Sequence, residues 1–153
     1  MKKYNQLFTF IILLCFISTN SFSQTKPIIA DTAIVYKTGN PADWPKEKDA
    51  VIAASKNHEI LLENENVRVL QVTVLPGETE PVHSHRWRSV LYIQSAGDFI
   101  DRDGAGTIIF DSRQLKTPLV FPMTMWKEPE APHSVENLSR TVTLRLIRVE
   151  MKK

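Results

Sequence analysis

Cysteine is almost missing: the chain holds one, Cys15, inside an apolar run, with Leu14 before it and Phe16-Ile17 after it. Lipid attachment at a cysteine needs a small residue just before the thiol, so Cys15 reads as filler of the run. If residues 1–23 are removed, no cysteine remains, which excludes disulfides, thiolate metal ligands and a cysteine nucleophile. An excess of one charge is also missing, with 19 Lys+Arg against 17 Asp+Glu in the full chain. Removal of Lys2 and Lys3 lowers the basic count from 19 to 17 and brings the two signs level. No basic run stands out either, so the electrostatic footprint of a nucleic-acid binder is absent. Sustained helical periodicity is lacking after residue 57, and there are no internal repeats.

What is present begins with a leader. Lys2 and Lys3 precede an apolar stretch of about 11 residues, Leu7 to Ile17, interrupted only by Thr9. A small, polar stretch follows, with Ser21 and Ser23 placed for cleavage before Gln24. The run is short of the roughly 20 residues that span a bilayer. The expectation is a cleaved signal peptide over residues 1–23 and a periplasmic or secreted product with no stable membrane insertion. Residues 24–57 read as an irregular N-terminal extension. Gly39, Pro41 and Pro45 make a loop from which Trp44 can dock on the body, with a possible edge strand over 30–37 and a turn or two of helix over 49–56.

Residues 58–151 read as β. Strands are expected at 58–63, 67–75, 88–94, 98–102, 107–111, 119–121 and 141–151, separated by Pro76-Gly77, Asp103-Gly104 and Pro122. Many short strands with regular turn signals imply a sandwich or small barrel. Two strands show an apparent phase slip, at Val69/Leu70 and near Leu146/Ile147, which suggests a bulge or burial on both faces. The strand 141–151, apolar in both phases, further suggests a homodimer that covers its outer side.

The four histidines carry the candidate chemistry. His83 and His85, in P-V-H-S-H-R-W-R-S-V, are two residues apart, so a strand presents both imidazoles to one side. His133, stiffened by Pro132, lies in P-E-A-P-H-S-V-E-N. Neutral imidazoles suit Zn, Cu, Fe and Ni. His58, in H-E-I-L-L-E, reads as ordinary and exposed.

These segments resemble the cupin motifs. Gly77, five residues, then His83-Ser84-His85 is similar to the first motif, with Gly97 matching its closing glycine; Ser89 or Val90 stands where that motif has a glutamate. His133 and, four residues on, Asn137 resemble the second motif, and Pro129-Glu130-Ala131 is a shortened version of its proline-glycine lead-in. The resemblance covers roughly residues 58–151, to the small single-domain cupins of RmlC-like jelly-roll type. It implies an all-β double-stranded β-helix in which His83, His85 and His133 converge on a divalent ion of Fe, Mn, Ni, Cu or Zn. Without the glutamate, the ion would keep its full charge, favour an anionic ligand and resemble the three-histidine thiol dioxygenases.

Around this site, Arg88 or Arg86 could clamp a substrate carboxylate, Trp126 with Met123 and Met125 could line a pocket, and Gln94 could orient a ligand. Tyr92 is the candidate catalytic acid. Glu128 and Glu130, flanked by Pro129 and Pro132, read as an exposed stretch, and Asn137 either bonds a turn or stands near the site. The functional expectation is an exported metal-dependent cupin acting on, or binding, a small anionic organic molecule. The alternatives are a non-catalytic ligand- or metal-binding module and a degenerate site with a structural role.

Overall fold

Strands rich in valine, leucine and isoleucine, broken by Gly and Pro turns, fold into two facing sheets. A computed structural model describes residues 39–153. The expected leader, the first part of the 24–57 extension and the edge strand at 30–37 lie outside the described residues. Two short 3-10 turns, Pro41–Asp43 and Lys46–Lys48, lead to a single helical turn, α1, Ala50–Ala53. Asp49 caps α1 through a carboxylate that accepts from Val51 N at 3.2 Å.

Nine strands follow in the described residues: β1 His58–Glu63, β2 Val67–Val74, β3 His83–His85, β4 Arg88–Ser95, β5 Phe99–Asp103, β6 Ile108–Asp111, β7 Met123–Lys127, β8 Glu130–Asn137 and β9 Leu144–Met151. One sheet runs β1-β2-β9-β4-β7 and the other β3-β8-β5-β6, with every named pair antiparallel. Trp44 docks on the body and is buried.

The apparent phase slips have a different cause from the one expected. β2 pairs with β9 in unbroken register from Val67↔Met151 to Val74↔Leu144. Arg68, Leu70, Val72 and Val74 all face inward, as do Leu144, Leu146, Arg148 and Glu150. The slips are charged residues occupying inward positions, which break the apolar pattern without breaking the pleat. The bulge near Leu70 belongs to β1, between Ile60 and Leu62. The short strand expected at 119–121 is not formed; the strand lies after Pro122, as β7.

Cross-strand register therefore splits the inner face of the larger sheet. Val72, Leu146 and Ile93 form one row and Val74 and Leu144 the next, and with Leu70 and Leu91 they make the apolar core. At the other end, Arg68, Glu150 and Ser89 form a wholly polar row beside Arg148. Burial of such a polar end is tolerable only where its groups find partners.

Two motif residues hold the barrel's apolar end. Gly77 takes φ 74° at the turn after β2 and donates to the Asn137 carbonyl at 3.0 Å. Asn137 is fully buried, and its amide donates to the Val74 and Val142 carbonyls, each at 2.9 Å. Its side-chain oxygen accepts from Ser139 N at 3.1 Å. Asn137 thus bonds a turn. Gly97 is required by close approach, since a Cβ there would meet the Ser139 Cβ at 2.5 Å. Replacing Asn137 with alanine strands two buried carbonyls, with an expected loss of about 1–3 kcal/mol. Denaturant unfolding of the metal-free protein measures this, and an unchanged midpoint would contradict the assigned role.

Candidate metal centre

The three predicted histidines arrive from two strands of one sheet. β3 carries His83 and His85, and β8 carries His133 directly opposite His83. All three are buried, with ring centroids 5.0 Å apart for His83–His85, 4.7 Å for His83–His133 and 5.8 Å for His85–His133.

Two further donors join them. His58, at the start of β1, is only 4% exposed, and its ring centroid lies 4.6 Å from His83 and 5.2 Å from His85. This corrects the expectation of an exposed, ordinary residue. Glu130 is 3% exposed and pairs across the ladder with His85, which corrects its placement in an exposed stretch. Glu128 remains outside and exposed, bonded to Arg88 and Trp126. Among the described residues, the ligand-type atoms form two compact sets that share His85: His58, His83 and His85, and His85, Glu130 and His133, each with all atoms within 4.8 Å of one another. A carboxylate is therefore beside the histidines, supplied by β8 and not by the position after His85. The expectation of a site without a carboxylate therefore meets Glu130, itself paired with Lys127 and Arg148.

Each imidazole uses Nδ1 for a hydrogen bond. His85 Nδ1 lies 2.7 Å from Glu150 Oε1, and His133 Nδ1 lies 3.0 Å from Asp101 Oδ1. His83 Nδ1 is 2.8 Å from the Pro81 carbonyl, and His58 Nδ1 is 3.2 Å from the Ala54 carbonyl. With Nδ1 so engaged, Nε2 is the nitrogen each ring has left for a metal, and outer carboxylates of this kind orient ligating histidines. His133 Nε2 is fully buried and has no hydrogen-bond partner. Both features fit a metal ion.

The electrostatics favour neutral imidazoles at three of the four histidines. Burial pushes His58 down to about 3 and holds His83 and His85 well below the usual imidazole range, so protons compete weakly for them. Burial also acts to lower His133, but the Asp101 charge and hydrogen bond outweigh it and raise this group. Burial would raise the Glu130 carboxyl; Lys127 and Arg148, each 2.7 Å from one of its oxygens, hold it well below the usual carboxylate range. Burial raises Glu80 to about 8 and Glu150 to about 7. Glu80 lies 3.7 Å from His58 Nδ1.

The other predicted site residues are elsewhere. Arg88, Tyr92 and Gln94 occupy the exposed phase of β4, and Trp126 is exposed on β7, opposite Val90. The inward phase of β4 is Ser89, Leu91 and Ile93, because the core requires those apolar side chains. Met123 and Met125 pack against the core. Arg86 is spent on the N-terminal extension, donating to the Pro41 carbonyl at 3.2 Å and to the Trp44 carbonyl. The arginine beside the histidines is Arg148, 3% exposed, with Nη1 on Glu130 and with Nε and Nη2 lacking hydrogen-bond partners. Its sequence signal is a charge in the inward phase of a strand.

No protein-family model and no curated protein matches the sequence. Solved structures do match. A cupin domain from Bordetella pertussis Tohama I is 20% identical, covering 63% of this chain and 92% of its own, with a TM-score of 0.50. An RmlC-like cupin family protein from Methanocaldococcus jannaschii, described as a double-stranded β-helix, is 15% identical over 61% of this chain and 77% of its own, with a TM-score of 0.44. An RmlC-like cupin from Desulfovibrio desulfuricans is 15% identical over 74% and 95%, with a TM-score of 0.41. The two facing antiparallel sheets, the histidine pair of β3 opposite His133 of β8, and the Bordetella likeness lead to one conclusion: the chain has the cupin fold, a double-stranded β-helix.

Proposed function

We propose that this chain is an exported metal-binding cupin whose resident divalent ion is held by His83, His85 and His133 with Glu130. The observation that carries the reading is the His85–Glu130–His133 set, whose ligand-type atoms lie within 4.8 Å of one another, with carboxylates behind both imidazoles. Each carboxylate oxygen of Glu130 that meets Lys127 or Arg148 retains a lone pair for a metal. The nitrogen-rich set suits Zn, Cu, Ni or Fe. When bound, such an ion supplies Lewis acidity, or dioxygen chemistry if it is Fe(II).

Burial of the donors favours a binding module over a catalyst. His83, His85 and His133 are 1%, 2% and 4% exposed, so the donors are closed off from solvent. Closed sets are the mark of structural or storage sites, whereas catalytic sites keep an open position. The favoured reading is a metal-binding module. The second reading, an enzyme acting on a small anionic organic molecule, is supported by Arg148, whose Nη2 has no hydrogen-bond partner and suits a carboxylate. Arg148 takes the role that the sequence offered to Arg88; the exposure of Tyr92, Gln94 and Trp126 leaves them no part in either reading.

Export rests on the Lys2-Lys3 start, the apolar run and Ser21/Ser23 before Gln24. A homodimer is supported by the outer face of the larger sheet. Leu62, Val69, Val149, Val90 and Trp126 stand in register across all five strands, with Leu62 and Trp126 half exposed. Such a self-similar apolar row suits an isologous contact with a second copy.

The purified mature chain should bind one Zn²⁺ or Cu²⁺ by calorimetry, and His133→Ala should abolish this. Asp101→Asn should weaken affinity roughly 10–100-fold with stoichiometry kept, as for other outer-shell partners; full affinity in both variants would reject the reading. Intact mass of protein recovered from outside the cytoplasm should correspond to a chain starting at Gln24, and an uncleaved mass would contradict export by this signal. Sedimentation velocity should show a dimer that Trp126→Asp converts to monomer; a wild-type monomer at high concentration would reject the interface.

A further inference from the structure

Three imidazoles meet at β1 and β3. His58, His83 and His85 have ring centroids 4.6, 5.2 and 5.0 Å apart, and their ligand-type atoms lie within 4.8 Å of one another. Each ring has Nδ1 tied to an acceptor: the Ala54 carbonyl, the Pro81 carbonyl and the Glu150 carboxylate. A ring that donates from Nδ1 offers its Nε2 lone pair to a cation, and the ligand-type atoms of these three rings lie close enough to share one. His58 is placed against two other imidazoles by the turn from α1, where its own backbone N–H also bonds the Ala54 carbonyl at 3.1 Å.

We propose that His58, supplied by β1 from outside both histidine motifs, ligates the same metal ion as His83 and His85, making the centre imidazole-rich. The inference rests on the metal-binding reading above and adds a ligand to it. His85 belongs to both compact sets, and Glu150 occupies its Nδ1, so it serves one ion at a time. The two sets are therefore two faces of one site and not a two-metal centre. His58 brings a nitrogen donor where Glu130 brings oxygen, which biases the site toward Zn²⁺, Cu²⁺ or Ni²⁺ over Mg²⁺ and Mn²⁺.

The test uses the whole mature chain, with Zn²⁺ as probe. In wild-type protein, long-range proton–nitrogen NMR of the imidazoles is followed during the titration. The Nε2 resonance of His58 should move with those of His83 and His85, saturating at one Zn²⁺ per chain. Independently, His58→Gln should lose affinity at least as heavily as an outer-shell variant, by about 100-fold, and X-ray absorption of its Zn²⁺ complex should show one imidazole fewer. The wild-type spectra keep the proposal falsifiable even if the variant folds poorly. Movement of His83, His85 and His133 without His58, with His58→Gln binding within about threefold of wild type, overturns this ligand and leaves the metal-binding reading standing. No movement and no bound Zn²⁺ overturns both.

Discussion

Four imidazoles are buried in this barrel, and each needs an acceptor for Nδ1 that the interior must supply. Two are given backbone carbonyls, which need nothing further. The other two are given carboxylates, Glu150 and Asp101, and a buried carboxylate needs cations of its own. Glu150 lies 3.5 Å from Arg148 and 3.6 Å from Arg68, and Arg68 is in turn held by Asp49 and Glu63 at 2.9 and 3.0 Å. Thus a need that begins at a ring nitrogen propagates outward to Asp49, the residue that caps α1, and to Glu63 at the end of β1.

This network explains why one inner face is divided. The apolar rows at Val72/Leu146/Ile93 and Val74/Leu144 do the work of collapse, and Asn137 satisfies the carbonyls around them. The polar row at Arg68/Glu150/Ser89 adds little hydrophobic stabilisation but orients His85. The antiparallel pleat makes the division possible, since register carries one strand's inward charge directly opposite another's. Lys127 and Arg148 perform the same service for Glu130, keeping it ionised in a place where burial favours its neutral form.

The strands were legible because their β-branched and apolar residues alternate and their turns carry Gly or Pro; the bounds of β1 follow the expected 58–63. The histidine pair of β3 was legible from its two-residue spacing, and Asn137 from its distance to His133. The phase slips at Val69/Leu70 and Leu146/Ile147 have a cause that alternation alone does not show. Arg68, Arg148 and Glu150 looked like breaks in a strand, whereas they are inward residues that support the centre. Arg88, Tyr92, Gln94 and Trp126 were attractive by type and nearness to the histidines, but the pleat turns the even-numbered residues of β4 away from the core that Leu91 and Ile93 fill.

By itself, the sequence determined the all-β class, the barrel's main turns and the presence of a histidine-based centre, because these depend on local alternation, backbone geometry and short spacings. Only the tertiary structure decided which residues stand beside those histidines. His58 is 25 residues before His83 and carries no motif, yet β1 curls so that its first residue faces β3. Glu130 sits between prolines that suggest a loop, yet the β3–β8 ladder sets it opposite His85. Long-range register brings these residues together, and register is a property of paired strands that no single segment contains.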